Sequence, residues 1–192
     1  MKNKKIILPA FIVIALIQLY VPSKMIWDRE EILETGIDYK FKTAPVDPND
    51  PFRGKYFTLN FDENIVKVQK EEDWVNGETI HVLLKKDNDG FAKITSVSRD
   101  VPTEDQEYVK ARVGYVTTEN PSRLFIDYPF KRFYMPEPKA IDAEETYRQS
   151  ALDTTQVTYA LVKIKGGEAV LKDIYIDEVP IKELIQINLS QN

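Results

Sequence analysis

The chain has 192 residues, 43% apolar and 30% charged, so it is long enough to bury a hydrophobic core in one or two small domains. It contains no cysteine, which excludes disulfides, thiol nucleophiles and cysteine metal sites. Four of its 26 basic residues and none of its 31 acidic residues lie in residues 1–27, so the rest of the chain has a net charge of −9. An acidic domain repels phosphate backbones and anionic lipid head groups, and nucleic acid is therefore not an expected partner.

The N-terminal segment predicts a membrane anchor. Lys2, Lys4 and Lys5 precede a nearly continuous apolar run from Ile6 to Val21, which continues through Trp27. About 20 such residues are enough to cross a bilayer core of about 30 Å. A cleaved signal peptide and a soluble core helix are the alternatives, but bulky residues follow the run where signal cleavage requires small ones.

The same segment predicts the location of the rest of the chain. The lysines before the apolar run belong on the cytoplasmic side. We therefore expect a single-pass protein of the cytoplasmic membrane, with an anchor and juxtamembrane helix over residues 1–35 that stops at Gly36. Residues 36–192 then form an extracytoplasmic domain, in the periplasm or on the cell surface.

Beyond Gly36 the apolar residues alternate with a period of two, which predicts a mainly antiparallel β domain. The turn sequences Asp87–Gly90 and Lys165–Gly167 are typical of hairpins, because their residues tolerate a positive φ. One stretch, residues 138–152, has helical spacing and predicts one α-helix in this domain. The predicted strands are Ile37–Thr43, Tyr56–Phe61, Thr79–Lys85, Phe91–Val97, Tyr108–Val116, Arg123–Tyr128, Gln156–Lys165 and Glu168–Ile176.

Short matches 78 positions apart predict an internal two-fold repeat over residues 37–102 and 115–180. The matching pairs include Pro51-Phe52-Arg53 with Pro129-Phe130-Lys131, Tyr56 with Tyr134, Leu83-Leu84-Lys85 with Leu161-Val162-Lys163, and Val101-Pro102 with Val179-Pro180. One insertion or deletion near Gly90 and Gly167 aligns the hairpin turns. Coincidence among β-rich segments is the alternative explanation.

A proline-rich turn before the second predicted strand is the first candidate site. Asp47 and Asp50 each precede a proline, and Arg53 is close enough in sequence to bridge the two carboxylates. The turn therefore has either a structural role or a ligand-binding one. A calcium loop that adds Asp62 and Glu63 is a further alternative, although the spacing is not that of an EF-hand.

A second candidate lies in the aromatic and basic segment from Tyr128 to Glu137, which ends just before the predicted helix. The aromatic residues are expected in the core, with the basic pair solvated on the other face. If the two halves of the domain pack face to face, one cleft joins the two candidate sites. The residues predicted to bind a ligand or partner are Asp47, Asp50, Arg53, Gly54, Tyr56, Tyr134 and Glu137.

The segment that begins at Gly54 resembles the signature of the GDYXXLXY family. Gly54, Tyr56 and Leu59 match the signature, while Lys55 stands in place of its Asp and Phe61 in place of its final Tyr. The resemblance extends over most of the chain and implies an exported, membrane-anchored bacterial protein. It also implies a companion integral membrane protein with several spanning helices, because similar chains tend to be encoded beside such proteins.

The sequence gives little support for catalysis. His81 is the only histidine, and no acid or nucleophile lies next to it in the predicted strand. Ser23-Lys24 after the apolar run is reminiscent of the Ser–Lys pair of signal peptidases, but the rest of that pattern is missing. We therefore expect a binding or accessory module without cofactor or metal, and a membrane-anchored hydrolase that uses a serine or a carboxylate is the alternative.

Overall fold

The computed structural model describes residues 4–44, 56–69, 73–103, 106–119, 121–134, 146–147, 150 and 156–190. Its first element is helix α1, Lys4–Thr35. Gly36 follows directly, and its amide donates to the carbonyl of Ile32 at 2.9 Å. The predicted end of the helix is confirmed. Glycine fits at this position for a steric reason, because a Cβ on Gly36 would lie 2.5 Å from the Ile32 oxygen.

The remainder is mostly antiparallel β, as predicted, in two five-stranded sheets and a two-stranded ribbon. The first sheet has the order β12-β11-β10-β1-β3, the second has the order β4-β8-β7-β5-β6, and β2 pairs with β9 in the ribbon. The strands are β1 Ile37–Ala44, β2 Tyr56–Thr58, β3 Asn60–Phe61, β4 Ile65–Val68, β5 Thr79–Lys86, β6 Ala92–Ser98, β7 Tyr108–Val116, β8 Ser122–Asp127, β9 Arg132–Tyr134, β10 Thr158–Lys165, β11 Glu168–Ile176 and β12 Val179–Pro180.

Two isolated parallel bridges join the five-stranded sheets. Lys40 of β1 pairs with Phe91 at the start of β6, and Val109 of β7 pairs with Gly167 just before β11. Together with the antiparallel ladders, these bridges connect six strands in a closed ring, in the order β1, β10, β11, β7, β5 and β6. Strand β1 pairs with β10 and contacts the turn of the β5–β6 hairpin, which follows β1 in the chain. Strand β7 pairs with β5 and contacts the turn of the β10–β11 hairpin, which follows β7.

Several features of the structure recur at the spacing of the predicted repeat. The β5–β6 ladder shifts register between Leu83 and Leu84, and the β10–β11 ladder shifts between Leu161 and Val162, 78 positions later. Tyr56 lies directly opposite Tyr134 in the ribbon, as a two-fold axis between them requires. In this comparison β7 corresponds to β1. Strand β7 begins at Tyr108, however, whereas the second repeat was predicted to begin at residue 115.

Other parts of the chain do not follow the repeat. Val179–Pro180 forms strand β12, whereas Val101 and Pro102 lie in no strand. The predicted strand Tyr56–Phe61 is two short strands, because the chain leaves β9 after Thr58 and pairs with β1 from Asn60. The duplication itself stays a prediction.

The core between the sheets contains a cluster of aromatic rings. Phe41 of β1 is fully buried, with ring centroids 5.6 Å from Phe61, 5.5 Å from Tyr128 and 5.0 Å from Phe130. Tyr128 and Phe130 belong to the aromatic segment predicted to lie in the core, and both are buried. This cluster joins the first sheet to the loop that follows β8.

The structure has a helix at the end of the described chain that the sequence did not predict. A ten-residue helix, α2, covers Ile181–Ser190 at the end of the described chain and buries Ile181 completely. This helix was not anticipated from the sequence. Within the predicted helix 138–152, the described residues Thr146, Tyr147 and Ser150 are helical, and the others lie outside the described residues.

Candidate functional site: a basic groove beside the N-terminal helix

The structure describes two of the seven predicted site residues. Tyr134 ends strand β9 with 63% of its surface exposed, and the backbone of Tyr56 begins strand β2 directly opposite it. These two predicted residues are therefore brought together in the ribbon. The five others, Asp47, Asp50, Arg53, Gly54 and Glu137, lie outside the described residues, so their assignment as site residues stays a prediction.

Tyr134 lines a groove with a volume of about 830 Å³. Its walls come from five parts of the chain: Arg29 of α1, Thr79 of β5, residues 110–112 of β7, residues 127–132 and 134 from the end of β8 to β9, and residues 168–171 of β11. The aromatic and basic segment predicted from the sequence thus forms one wall of a cleft, with Phe130 buried beneath it.

The described lining of this groove is rich in positive charge. Its cationic side chains are Arg29, Lys110, Arg112, Lys131 and Arg132, and its carboxylates are Asp127 and Glu168. One of the two carboxylates is occupied, since Lys131 Nζ lies 2.5 Å from Asp127 Oδ1. We call this surface the basic groove. It contrasts with the net negative charge of the chain as a whole.

The alternation of β7 explains how two of these cations reach the groove. Val109, Ala111 and Val113 are buried, so the intervening Lys110 and Arg112 stand on the exposed face of the sheet. Sequence reasoning predicted this strand with the correct bounds but did not select its cations. The signal was the alternation itself, which places both charges on one face.

Arg29 reaches the groove because the end of α1 is attached to the β domain. Lys165 Nζ donates to Glu31 Oε1 at 2.6 Å and to Thr35 Oγ1 at 2.9 Å. Lys163 Nζ donates to the carbonyl of Gly36 at 3.1 Å. Two lysines at the C-terminal end of a helix also interact favourably with its dipole.

One wall of the groove is anchored by a buried tyrosine. The Tyr128 hydroxyl donates to the carbonyl of Glu63 at 2.8 Å. Burial, with a smaller contribution from the nearby Glu63 charge, raises the pKa of this hydroxyl well above its usual range. Tyr128 is therefore a neutral structural donor that fixes the loop after β8.

The residues behind the alternative hypotheses have other contacts. His81 is buried, and its ring lies 5.4 Å from that of Tyr108. Ser23 lies inside α1 and donates to the Leu19 carbonyl at 2.8 Å, while Lys24 pairs with Asp28 at 2.5 Å. This arrangement does not support a Ser–Lys catalytic pair.

Glu63, one of the residues of the alternative calcium loop, already has other partners. Glu63 Oε1 lies 2.5 Å from Lys93 Nζ, and Glu63 Oε2 accepts from the Ile94 amide at 3.3 Å. Within the described residues, no group of three or more His, Cys, Asp or Glu side chains is placed to hold a metal ion.

Comparison with known proteins gives a single finding. No curated protein and no solved structure shows significant similarity to the chain. A family model described as GDYXXLXY protein matches residues 18–174, and the chain therefore belongs to the GDYXXLXY protein family.

Proposed function

We propose that this protein is a membrane-anchored, extracytoplasmic binding or accessory module that works with an integral membrane partner. The observation that carries the proposal is the apolar stretch of α1. Leu8–Thr35 is long and apolar enough to cross a membrane, and none of its spanning window is buried inside the protein. A helix of that length and composition can cross a bilayer with its backbone hydrogen bonds satisfied internally.

The orientation follows from charge. Lys2, Lys4 and Lys5 precede the span, and lysines beside a first membrane helix are retained on the cytoplasmic side. The β domain then lies on the opposite side of the membrane. Trp27, 75% exposed, stands at the end of the apolar run, where interfacial aromatic residues are enriched.

A partner in the same membrane fits both the exposed helix and the family resemblance. The attachment of Glu31, Thr35 and Gly36 to Lys163 and Lys165 ties the helix to the β domain. A partner that contacts the membrane-spanning part of α1 therefore also acts on the β domain that contains the groove. This coupling suits an accessory subunit better than a freely tethered enzyme.

The topology can be tested on the full chain. After an alkaline wash of membranes the protein is expected to remain in the pellet, and a reporter fused after Asn192 is expected to be active only outside the cytoplasm. The mature protein should also keep the apolar segment. A reporter active only in the cytoplasm, or a mature N-terminus near Lys24, would contradict this topology.

The partner is tested by crosslinking in native membranes. Photoreactive residues placed at Leu16 and Leu19, both exposed on the span, are expected to capture an integral membrane protein, which mass spectrometry identifies. The matched control carries the same photoreactive residue at Val101, which is exposed in the β domain just after strand β6 and lies outside the apolar span. Lipid adducts alone at the span positions, together with turnover of a substrate by the isolated protein, would favour the hydrolase instead.

A further inference from the structure

We propose that the basic groove binds the phosphate of an anionic phospholipid head group at the membrane surface. The proposal rests on the membrane anchoring proposed above, but it does not depend on a protein partner. It gives the chain a ligand class, which the fold and the family do not supply.

The lining of the groove has an excess of positive charge. Its described part holds five cationic side chains and two carboxylates, so four cations and one carboxylate remain besides the Asp127–Lys131 pair. Lys110 and Arg112 extend from alternate positions of one rigid strand, both exposed. A strand fixes such groups at a set spacing, and arginine can bind a phosphate through two parallel hydrogen bonds. Residues 28–192 carry a net charge of −9, so this cationic lining is a local exception that can attract an anion.

The position of the groove relative to the bilayer also favours a lipid. The run from Leu8 to Trp27, whose one charged residue is Lys24 near its C-terminal end, is about 30 Å long at 1.5 Å per residue, which matches the hydrocarbon thickness. Arg29 lies two residues beyond Trp27, about 3 Å farther along the axis. It therefore falls at the level of the lipid head groups. Because Lys163 and Lys165 hold the end of the helix against the β domain, the rest of the groove stays close to that level.

The apolar part of the lining favours a lipid over a free phosphate ion. Beside the cations, the groove is lined by Ala169, Val170 and Leu171 from β11. Tyr134 adds an exposed aromatic ring with a polar tip, the type of residue enriched at membrane interfaces. A groove lined by both cationic and apolar side chains suits a ligand with a phosphate at one end and glycerol and acyl carbons at the other.

The test uses the purified full chain in a neutral detergent, at one fixed ionic strength. Calorimetric titrations compare dihexanoyl phosphatidylglycerol, dihexanoyl phosphatidylcholine and inorganic phosphate. We expect phosphatidylglycerol to bind at least about tenfold more tightly than either of the others, since only it combines a net negative phosphate with acyl chains.

The variant Lys110→Gln with Arg112→Gln locates the site. Each cation near a phosphate contributes about fivefold to affinity, so the double variant is expected to bind phosphatidylglycerol about 25-fold more weakly. The matched control is Lys67→Gln with Lys85→Gln, which removes the same charge from exposed strand positions outside the groove. Its affinity is expected to stay within about twofold of that of the parent chain.

Three results would overturn the proposal. Equal weakening by the two double variants means that general charge attracts the lipid. Equal affinity for inorganic phosphate means that the acyl chains contribute nothing and that the ligand is a soluble anion. No measurable preference for phosphatidylglycerol, by a chain that still resists alkaline washing, removes the groove site and leaves the anchoring proposal standing. Thermal unfolding of each variant confirms that all the proteins compared are folded.

Discussion

Alanine at Gly167 is expected to destabilise the β domain by about 2–5 kcal/mol. Gly167 has a φ of +83°, which a residue with a side chain adopts only at a cost. A Cβ there would also lie 2.3 Å from a ring carbon of Tyr108, too close for any real contact. Gly167 forms the bridge to Val109 and accepts from the Lys110 amide at 2.8 Å, so the strain falls where the ring of strands closes.

Gly90 provides a matched control for this substitution. It occupies the turn of the other hairpin with the same φ of +83°, but a Cβ there would meet no atom within 4 Å. Gly90→Ala is therefore expected to cost only the backbone strain, about 1–2 kcal/mol. Chemical unfolding of the full chain in detergent, followed by circular dichroism, measures both values.

A second substitution isolates the contact with the ring. Tyr108→Ser removes the ring atoms that the new Cβ would meet, so in the double variant the cost of Gly167→Ala should fall toward that of Gly90→Ala. Equal losses for the two glycine variants in the parent chain would show that Tyr108 moves away freely. In that case the close approach at Gly167 would not constrain the fold.

The features that could be predicted from the sequence are those set by neighbouring residues. Strands β7 and β11 begin and end at the predicted residues: buried and more exposed positions alternate from Tyr108 to Val113 in β7, and β11 begins directly after the Gly166–Gly167 turn. The two hairpins also form as predicted, with Gly90, Gly166 and Gly167 all at positive φ. In each case the information lies within about ten residues of sequence.

The features that could not be predicted depend on distant partners. Strand β9 has three residues, too few to show a period, and exists because β2 pairs with it. The closed ring depends on two single bridges, Lys40 with Phe91 and Val109 with Gly167, which no local pattern encodes. Helix α2 directly follows the short strand β12. From the sequence alone, its buried residue Ile181 could not be distinguished from the end of a strand.

The candidate site shows the same division. The sequence identified the segment around Tyr134, and the alternation of β7 already placed Lys110 and Arg112 on one face. Their meeting with Arg29 could not be foreseen, because it depends on how α1 is attached to β10 and β11. Net charge could not indicate the basic groove, because a sum over the whole chain does not show where five cations converge.

The other large expected effect concerns the aromatic core. Phe41→Ala should destabilise the domain by about 3–5 kcal/mol, because it removes a fully buried ring and leaves a cavity among Phe61, Tyr128 and Phe130. Tyr115→Ala is the control: its ring stacks on Phe125 at 3.9 Å but is 52% exposed, so the loss should stay near 1 kcal/mol. Equilibrium unfolding under one set of conditions compares the two.

The consequence extends beyond stability, because Phe41 supports one wall of the basic groove. Tyr128 and Phe130 line that groove and pack directly on Phe41, and Lys131 follows Phe130 in the chain. A milder substitution, Phe41→Leu, should leave the protein folded while loosening these contacts. We therefore expect it to weaken binding of phosphatidylglycerol, whereas Tyr115→Ala should not. If Phe41→Leu lowers stability and leaves that affinity unchanged, the groove is held by the Tyr128–Glu63 hydrogen bond and the neighbouring strands, without a contribution from the core ring.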